Sequence, residues 1–218
     1  NWSQSKPTTM NPFVYAVEFV DKANHVYAGT DNGLYRSTDG GANWSHIVPP
    51  SATSPSSIYS LYFDNTQPTS LWVGSFKQGV WKADLGDNVT IVQMNDGDLS
   101  ADSEIWGIIV DATDTYVATS KGVYKRSGSS PWVAYGLQDR QVLSLAIVKD
   151  QQDMPGKYMY AGLNGGGVQR TVIGSTNPTW VDVSPLNQTS LTVRDLYFDA
   201  TSLCNGLLAA TSDGIWLY

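Results

Sequence analysis

A six-residue apolar pattern occurs five times in this sequence and constrains the fold more than any other feature. The copies are residues 14–19, 58–63, 105–110, 142–147 and 193–198. Their first, fourth and sixth positions are apolar in every copy, and the third position is small in four of them. Because self-similarity at a fixed period is the signature of repeat architectures, we expect five similar structural units.

Each copy is followed by a second apolar segment and then by a turn that closes on glycine. The second segments are residues 25–30, 70–75, 115–120, 158–163 and 207–212, and small residues near their ends allow neighbouring backbones to approach closely. Glycine adopts a positive φ at no steric cost, so such turns are typical of β-hairpins. The turn glycines are Gly33, Gly79, Gly122, Gly167 and Gly214.

A third short strand is predicted directly after each glycine, and a fourth strand follows in the first four repeats. The fifth repeat ends at Tyr218 and has no room for a fourth strand. The amino terminus has the required sequence, because residues 1–3 repeat the Asn-Trp-Ser of residues 43–45. We therefore expect residues 1–6 to form the outer strand of the last unit. Tryptophan leads three of the other fourth strands, at Trp44, Trp132 and Trp180.

Four-stranded units with a period of about 45 residues are typical of β-propeller blades. A blade that is apolar on both faces can bury them only between two neighbours, which requires a closed ring. The sequence therefore predicts an all-β, five-bladed β-propeller in a single domain over residues 1–218. A β-sandwich is the alternative, but it would not explain five aligned glycines. The expected blades are residues 13–48, 58–94, 105–136, 142–184, and 193–218 completed by 1–6.

One turn carries a motif. Residues 37–44 fit the pattern Ser-x-Asp-x-Gly-x-x-Trp, which resembles the Asp-box, or BNR, repeat of sialidases, sortilin-type receptors, bacterial xyloglucanases and photosystem assembly-factor propellers. The resemblance implies a structural turn between the third and fourth strands, on the face opposite the usual ligand site. Asp39 is expected to bond turn amides, and Trp44 to pack over the hairpin. The implied motif residues are Ser37, Asp39, Gly41 and Trp44.

Composition and motifs exclude several function classes. The net charge of −7 would repel a polyanion, so nucleic acid is not an expected partner. No apolar run approaches the roughly 20 residues of a membrane span, so membrane insertion is not expected. No metal-ligand cluster or phosphate-binding glycine loop is recognised, so neither a metal nor a cofactor is predicted. Glycosylation sequons, few lysines and the habit of the resembling families favour an extracellular or cell-envelope monomer.

Catalysis is a weaker hypothesis than binding. The Arg-Ile-Pro motif of sialidases is absent, and only Arg194 lies at the start of an inner strand. An inverting glycoside hydrolase needs two carboxylates about 6.5–9.5 Å apart. Most acidic residues near the inner strands instead follow a strand end, where aspartate commonly caps turns. No catalytic residue is assigned, and a glycoside hydrolase-related propeller stays an alternative. The acidic residues near the inner strands are Glu18, Asp64, Asp111, Asp195 and Asp199.

The predicted function is a non-catalytic binding module for carbohydrate or an extracellular protein. A protein-interaction scaffold or assembly factor is a further alternative. In propellers, the starts of the inner strands and the following hairpin turns share one face, and aromatic planes beside polar groups suit sugars or peptides. The competing interpretation is that the aromatic rings only pack between blades. The expected ligand contacts are Tyr15, Tyr59, Trp106, Arg194 and Asp195 from the inner strands, and Asp31, Asn32, Lys77, Asn164 and Asp213 from the turns.

Overall fold

The strands and turns follow the predicted repeat. The computed structural model describes residues 13–20, 24–48, 57–64, 69–86, 89–151, 154–184, 190–199 and 206–218. Within these ranges every regular element is a β-strand, which confirms the predicted all-β class. The predicted closing strand, residues 1–6, lies outside the described residues.

The described strands form five antiparallel sheets, and within each sheet the strands lie in chain order. The first sheet contains β1 (Val14–Phe19), β2 (Val26–Thr30), β3 (Gly33–Ser37) and β4 (Ser45–Val48), and the second contains β5 (Ile58–Phe63), β6 (Ser70–Ser75), β7 (Val80–Asp84) and β8 (Thr90–Gln93). The third contains β9 (Ile105–Asp111), β10 (Asp114–Thr119), β11 (Gly122–Ser127) and β12 (Val133–Ala134). The fourth contains β13 (Val142–Gln151), β14 (Met154–Leu163), β15 (Val168–Val172) and β16 (Val181–Asp182), and the fifth contains β17 (Val193–Asp199), β18 (Gly206–Thr211) and β19 (Gly214–Leu217).

The chain divides into two compact units after Ala112, in the turn between β9 and β10. The first unit has a core of fully buried side chains that includes Leu34, Ile58 and Leu71. The core of the second unit includes Tyr160 and Val193. That residues 1–218 form a single domain stays a prediction.

Hydroxyl groups close the hairpins between the second and third strands. The Oγ1 of Thr30 donates to the carbonyl of Gly33 at 2.9 Å and accepts the N–H of Asn32 at 3.0 Å. Thr119 and Thr211 make the same pair of bonds in their own hairpins. Because these threonines occupy the last strand position, β10 and β18 end one residue before the predicted ends at 120 and 212.

Glycines in the second strands let the next inner strand approach closely, as the sequence predicted. A Cβ at Gly74 would lie 2.6 Å from Cγ2 of Ile105, which is the first residue of β9. Gly29 meets Ile58 in the same way, and Gly162 meets Val193. The side chains of Ile58, Ile105 and Val193 are at most 1% exposed. Each of them therefore packs tightly against a glycine of the neighbouring sheet, with no space left for a larger residue.

The turn between β3 and β4 is built by the residues of the Ser-x-Asp-x-Gly-x-x-Trp motif. The Asp39 carboxylate accepts the backbone N–H of Asn43 at 2.8 Å and its side-chain N–H at 2.7 Å. The Ser37 hydroxyl donates to Asp39 at 2.7 Å and accepts the N–H of Gly41 at 2.8 Å. The indole N–H of Trp44 donates to the carbonyl of Gly41 at 3.0 Å. The carboxylate therefore bonds turn amides, as expected.

Replacing Gly74 with alanine tests the close approach of the sheets. We expect Gly74→Ala to lower the free energy of unfolding by about 1–3 kcal/mol, because the new methyl group overpacks a full contact. Gly86→Ala is the matched control, since the nearest atom to its new Cβ lies 3.7 Å away. Urea unfolding measures both. Equal midpoints for the two variants would contradict the packing argument.

The motif turn should be pH-sensitive through Asp39. Hydrogen bonds from Asn43, and then from Ser37, lower the pKa of Asp39 to about 2 from its ordinary 3.8. The ionised carboxylate therefore stabilises the fold fully above pH 3.8, and this contribution disappears as the pH falls through about 2. We expect Asp39→Asn to melt below the wild type at pH 7 and to approach it near pH 2. Thermal denaturation across this range tests the prediction, with Asp213→Asn, at an exposed turn, as the control.

Candidate functional site

The hairpin turns and the starts of the inner strands lie at the same end of the sheets. In the first unit, the N–H of Asp31 donates to the carbonyl of Phe13 at 3.1 Å, and the N–H of Phe76 donates to the carbonyl of Ser57 at 2.9 Å. The second unit repeats this bond from Asn164 to Gln141 at 3.0 Å and from Ser212 to Thr192 at 2.9 Å. Side chains from turns and inner strands can therefore meet at this end.

Four rings meet at this end of the first unit, and we call Tyr15, Tyr59, Phe76 and Trp106 the aromatic patch. Tyr59 lies at its centre, with ring centroids 4.5 Å from Tyr15, 5.1 Å from Trp106 and 5.3 Å from Phe76. Tyr15 stands edge-on to Tyr59 at 70°, and Phe76 contacts Trp106 at 6.5 Å. The structure thus brings together the three aromatic residues that the sequence selected from three separate repeats.

The aromatic patch is partly packed and partly open. Tyr15 is 47% exposed, and Tyr59, Phe76 and Trp106 are half-buried. Desolvation raises the pKa of Tyr59, and the neighbouring Tyr15 raises it further, so the Tyr59 hydroxyl stays a protonated donor at neutral pH. The rings do pack against one another, as the competing interpretation expected, but the packing leaves a surface that faces solvent.

Lys77 adds a cation to the rim of the aromatic patch. Its Nζ lies 5.0 Å from the centroid of the Phe76 ring, within the range of a cation–π interaction. Lys77 is exposed and has a φ of 59°, in the left-handed region that side chains with a Cβ rarely adopt. The hairpin therefore holds a strained, charged residue beside the rings.

Phe76 was not among the predicted site residues. It occupies the first position of the second hairpin turn, where the other turns carry Asp31, Ser120, Asn164 and Ser212. Alignment of the five turns would have shown that this repeat alone has an aromatic residue there. Its role depends on contact with Tyr59 and Trp106, which lie in two different repeats.

Two predicted turn residues of the first unit support the loops. The Oδ1 of Asp31 accepts the N–H of Phe13 at 3.0 Å and so anchors the segment that enters β1. The side-chain N–H of Asn32 donates to the hydroxyl of Tyr35 at 3.0 Å. Both polar groups are occupied within their own sheet, so a ligand would have to compete for them.

The predicted residues of the second unit do not join the aromatic patch. Asn164 donates to Oε1 of Gln141 at 2.7 Å and accepts from the hydroxyl of Thr192 at 3.0 Å. The Asp195 carboxylate accepts the N–H of Leu196 at 2.9 Å. Arg194 and Asp213 are exposed. That these residues contact a ligand stays a prediction.

Carboxylates of the first unit gather around Tyr62, near the other ends of the inner strands. Oε1 of Glu18 accepts the N–H of Phe63 at 3.2 Å, and burial raises the pKa of Glu18. Burial also raises the pKa of Tyr62, and the negative charges of Asp64, Glu18 and Asp111 add to this effect. Since Glu18 is bonded to the backbone of the next inner strand, its evident role is to join two sheets. Among the described residues, no three His, Cys, Asp or Glu side chains are grouped as metal ligands.

No protein-family model matches the chain, and comparison with curated proteins gives no match. Solved structures do resemble it. The extracellular domain of a putative one-component system from B. thetaiotaomicron has a TM-score of 0.68 at 19% identity, over 94% of this chain and 26% of that one. An ancestral GH74 enzyme has a TM-score of 0.64 at 18% identity, over 94% of this chain and 32% of that one.

YCF48 from Cyanidioschyzon merolae has a TM-score of 0.58 at 12% identity, over 95% of this chain and 82% of that one. The chain spans about a quarter to a third of the length of the first two similar structures. Across the described ranges no helix is long and apolar enough to cross a membrane. At these identities the likeness is one of fold alone, and with the five antiparallel sheets it shows that the chain has the five-bladed β-propeller fold.

Proposed function

We propose that this chain is a non-catalytic binding module and that the aromatic patch recognises carbohydrate. The observation that carries the proposal is the meeting of Tyr15, Tyr59, Phe76 and Trp106 with a solvent-facing side. Aromatic faces stack on the apolar C–H surface of a sugar ring, while hydroxyl and ammonium groups orient its oxygens. Tyr15, Tyr59 and Lys77 supply these polar groups.

Binding is favoured over hydrolysis by the positions of the carboxylates. Glu18 accepts a hydrogen bond from the backbone of β5, and Asp195 accepts one from its own strand, so both carboxylates are engaged in structural contacts. The likeness to an ancestral GH74 enzyme concerns the fold and supports only a common architecture. An extracellular location is part of the proposal, supported by the likeness to an extracellular sensor domain.

A glycan array followed by titration calorimetry tests this function. We expect at least one oligosaccharide class to bind, and Tyr59→Ala to weaken that binding about tenfold or more, because truncating a central aromatic anchor costs over 1 kcal/mol. Tyr197→Ala is the control, since Tyr197 is 64% exposed and lies in the second unit. The bound oligosaccharide should be recovered intact.

Three results would contradict the proposal. If no glycan binds, the patch serves another purpose, and a protein-interaction scaffold becomes the better hypothesis. If a glycan binds and is cleaved, the chain is a hydrolase. Equal loss of affinity in Tyr59→Ala and Tyr197→Ala would place the binding surface elsewhere.

A further inference from the structure

Two hairpins of the structure share one backbone pattern. One turn covers residues 75–79, between β6 and β7, and the other covers residues 163–167, between β14 and β15. In each turn the N–H of the first residue donates to the carbonyl of the last at 3.0 Å. The last residues, Gly79 and Gly167, have φ values of 70° and 63°. The two turns can therefore be compared position by position.

The third position of this turn is lysine in the second sheet and glycine in the fourth. Lys77 has a φ of 59° and Gly165 has a φ of 65°, so both lie in the left-handed region. This region is open to glycine but costs stability for a residue with a Cβ. Strained residues persist where the surrounding structure holds them, and they cluster at ligand-binding positions. The lysine therefore points to a use for its side chain.

Hydrogen bonds hold the backbone on both sides of Lys77. Before it, the N–H of Phe76 donates to the carbonyl of Ser57 at 2.9 Å. After it, the carbonyl of Gln78 accepts hydrogen bonds from three side chains. These donors are the indole N–H of Trp81 at 3.0 Å and the amide groups of Gln93 at 2.9 Å and Asn95 at 3.1 Å. The lysine side chain therefore starts from a backbone that is already fixed, which lowers the entropy lost when a ligand binds.

The Lys77 ammonium lies at the rim of the aromatic patch with its charge available. Its Nζ is 5.0 Å from the centroid of the Phe76 ring, and Phe76 in turn contacts Tyr59 and Trp106. No carboxylate among the described residues forms an ion pair with this ammonium. A cation is thus held beside a surface on which a sugar ring can stack.

Local charges decide which ligand suits the aromatic patch. The net charge of −7 repels anions on average, but salt screens charges more than about 8 Å away at physiological ionic strength. Near the rings, the negative charge of Glu104 adds to the effects of desolvation and of Tyr15, which raise the pKa of Tyr59. Glu104 and Lys77 form no ion pair with each other. A sugar with one anionic substituent can therefore pair with the ammonium while its hydroxyls donate to Glu104.

We propose that the aromatic patch selects acidic sugars and that Lys77 binds their carboxylate or sulfate group. This ligand class rests on the proposed function of the patch and narrows it. The sugar ring stacks on the aromatic side chains, and its anionic substituent accepts a charge-assisted hydrogen bond from Nζ of Lys77. A neutral sugar keeps the stacking contact but lacks this bond, so it binds more weakly.

Titration calorimetry with matched acidic and neutral oligosaccharides tests the ligand class. The acidic probes are tetragalacturonate, which carries carboxylates, and a κ-carrageenan tetrasaccharide, which carries sulfates. Each is compared with its own carboxyl-reduced or desulfated form. We expect at least one acidic probe to bind about tenfold or more tightly than its neutral form, because a hydrogen bond between charged groups is lost in the neutral one. The probe that binds distinguishes carboxylate from sulfate.

The variant Lys77→Gln should lose the preference for the acidic form, because an amide is polar but uncharged. Raising the ionic strength from about 0.05 M to about 0.5 M should weaken binding of the acidic probe to the wild type and change little in the variant. Lys121→Gln is the matched control and should keep the full preference. Lys121 is exposed in the hairpin of the third sheet and has no ring contact among the described residues.

Two further variants test the strained turn. Lys77→Gly and Lys77→Ala both remove the ammonium, but only alanine keeps a Cβ. We expect Lys77→Gly to melt above Lys77→Ala, because glycine adopts a φ of 59° without strain. Thermal denaturation followed by circular dichroism measures both. A folded Lys77→Gly that no longer prefers the acidic probe shows that the loss of preference does not come from unfolding.

The outcomes separate the ligand class from the carbohydrate function itself. If the glycan array yields a ligand but neither acidic probe binds better than its neutral form, the ligand class is wrong and the carbohydrate function stands. Equal loss of preference in Lys77→Gln and Lys121→Gln leads to the same conclusion. A Lys77→Ala variant that melts at or above Lys77→Gly would overturn the strain on which the assignment depends. Absence of binding to every glycan would contradict the carbohydrate function as well.

Discussion

The structure depends on the burial of both faces of each sheet against its neighbours. A single four-stranded sheet of this kind cannot bury its apolar residues alone. The inner strand of one sheet supplies a branched side chain at its first position, and a glycine in the second strand of the sheet before it leaves room for that side chain. Ile58 on Gly29 and Ile105 on Gly74 do this in the first unit, and Val193 on Gly162 does it in the second.

This packing also explains how the aromatic patch forms. The residue after each of these branched side chains points to the other side of its strand, because side chains alternate along a strand. Tyr59 and Trp106 follow Ile58 and Ile105 in this way. Equivalent positions of successive repeats thus become neighbours, and their rings meet at centroid distances near 5 Å. The hydrogen bond from Phe76 to Ser57 then brings the hairpin turn, with its aromatic side chain, to the same end.

The two conspicuous ends of the first unit differ in chemistry. One end carries rings, tyrosine hydroxyls and the Lys77 ammonium. Near the other end, Glu18, Asp64 and Asp111 surround Tyr62, and their charges oppose ionisation of its hydroxyl. The turn that contains Asp39 is a third polar region, and its contacts are local. Hydrogen bonds from nearby residues, chiefly the amides of Asn43, lower the pKa of the Asp39 carboxylate and keep it ionised. Recognition is proposed for the first of these regions because only there do apolar surface and polar groups meet in the open.

The sequence by itself determined the elements that depend on near neighbours. Alternating apolar residues specify the strands, the glycines specify the hairpins, and Ser37 and Asp39 close a turn with partners at most four residues away. The sequence pattern placed the ends of β10 and β18 one residue too late. Each strand ends where the hydroxyl of Thr119 or Thr211 bonds to the hairpin, and the pattern of apolar residues does not reveal that bond.

Only the tertiary structure decided which side chains meet across repeats. Phe76 joins the patch through rings 17 and 30 positions away in the chain, at Tyr59 and Trp106. Asp31 and Asn164, which the pattern could not separate from the other turn residues, prove to be bonded within the loops. The physical reason is that contacts between distant segments depend on how the sheets pack and on where each polar group finds its partner, and a repeat pattern records neither.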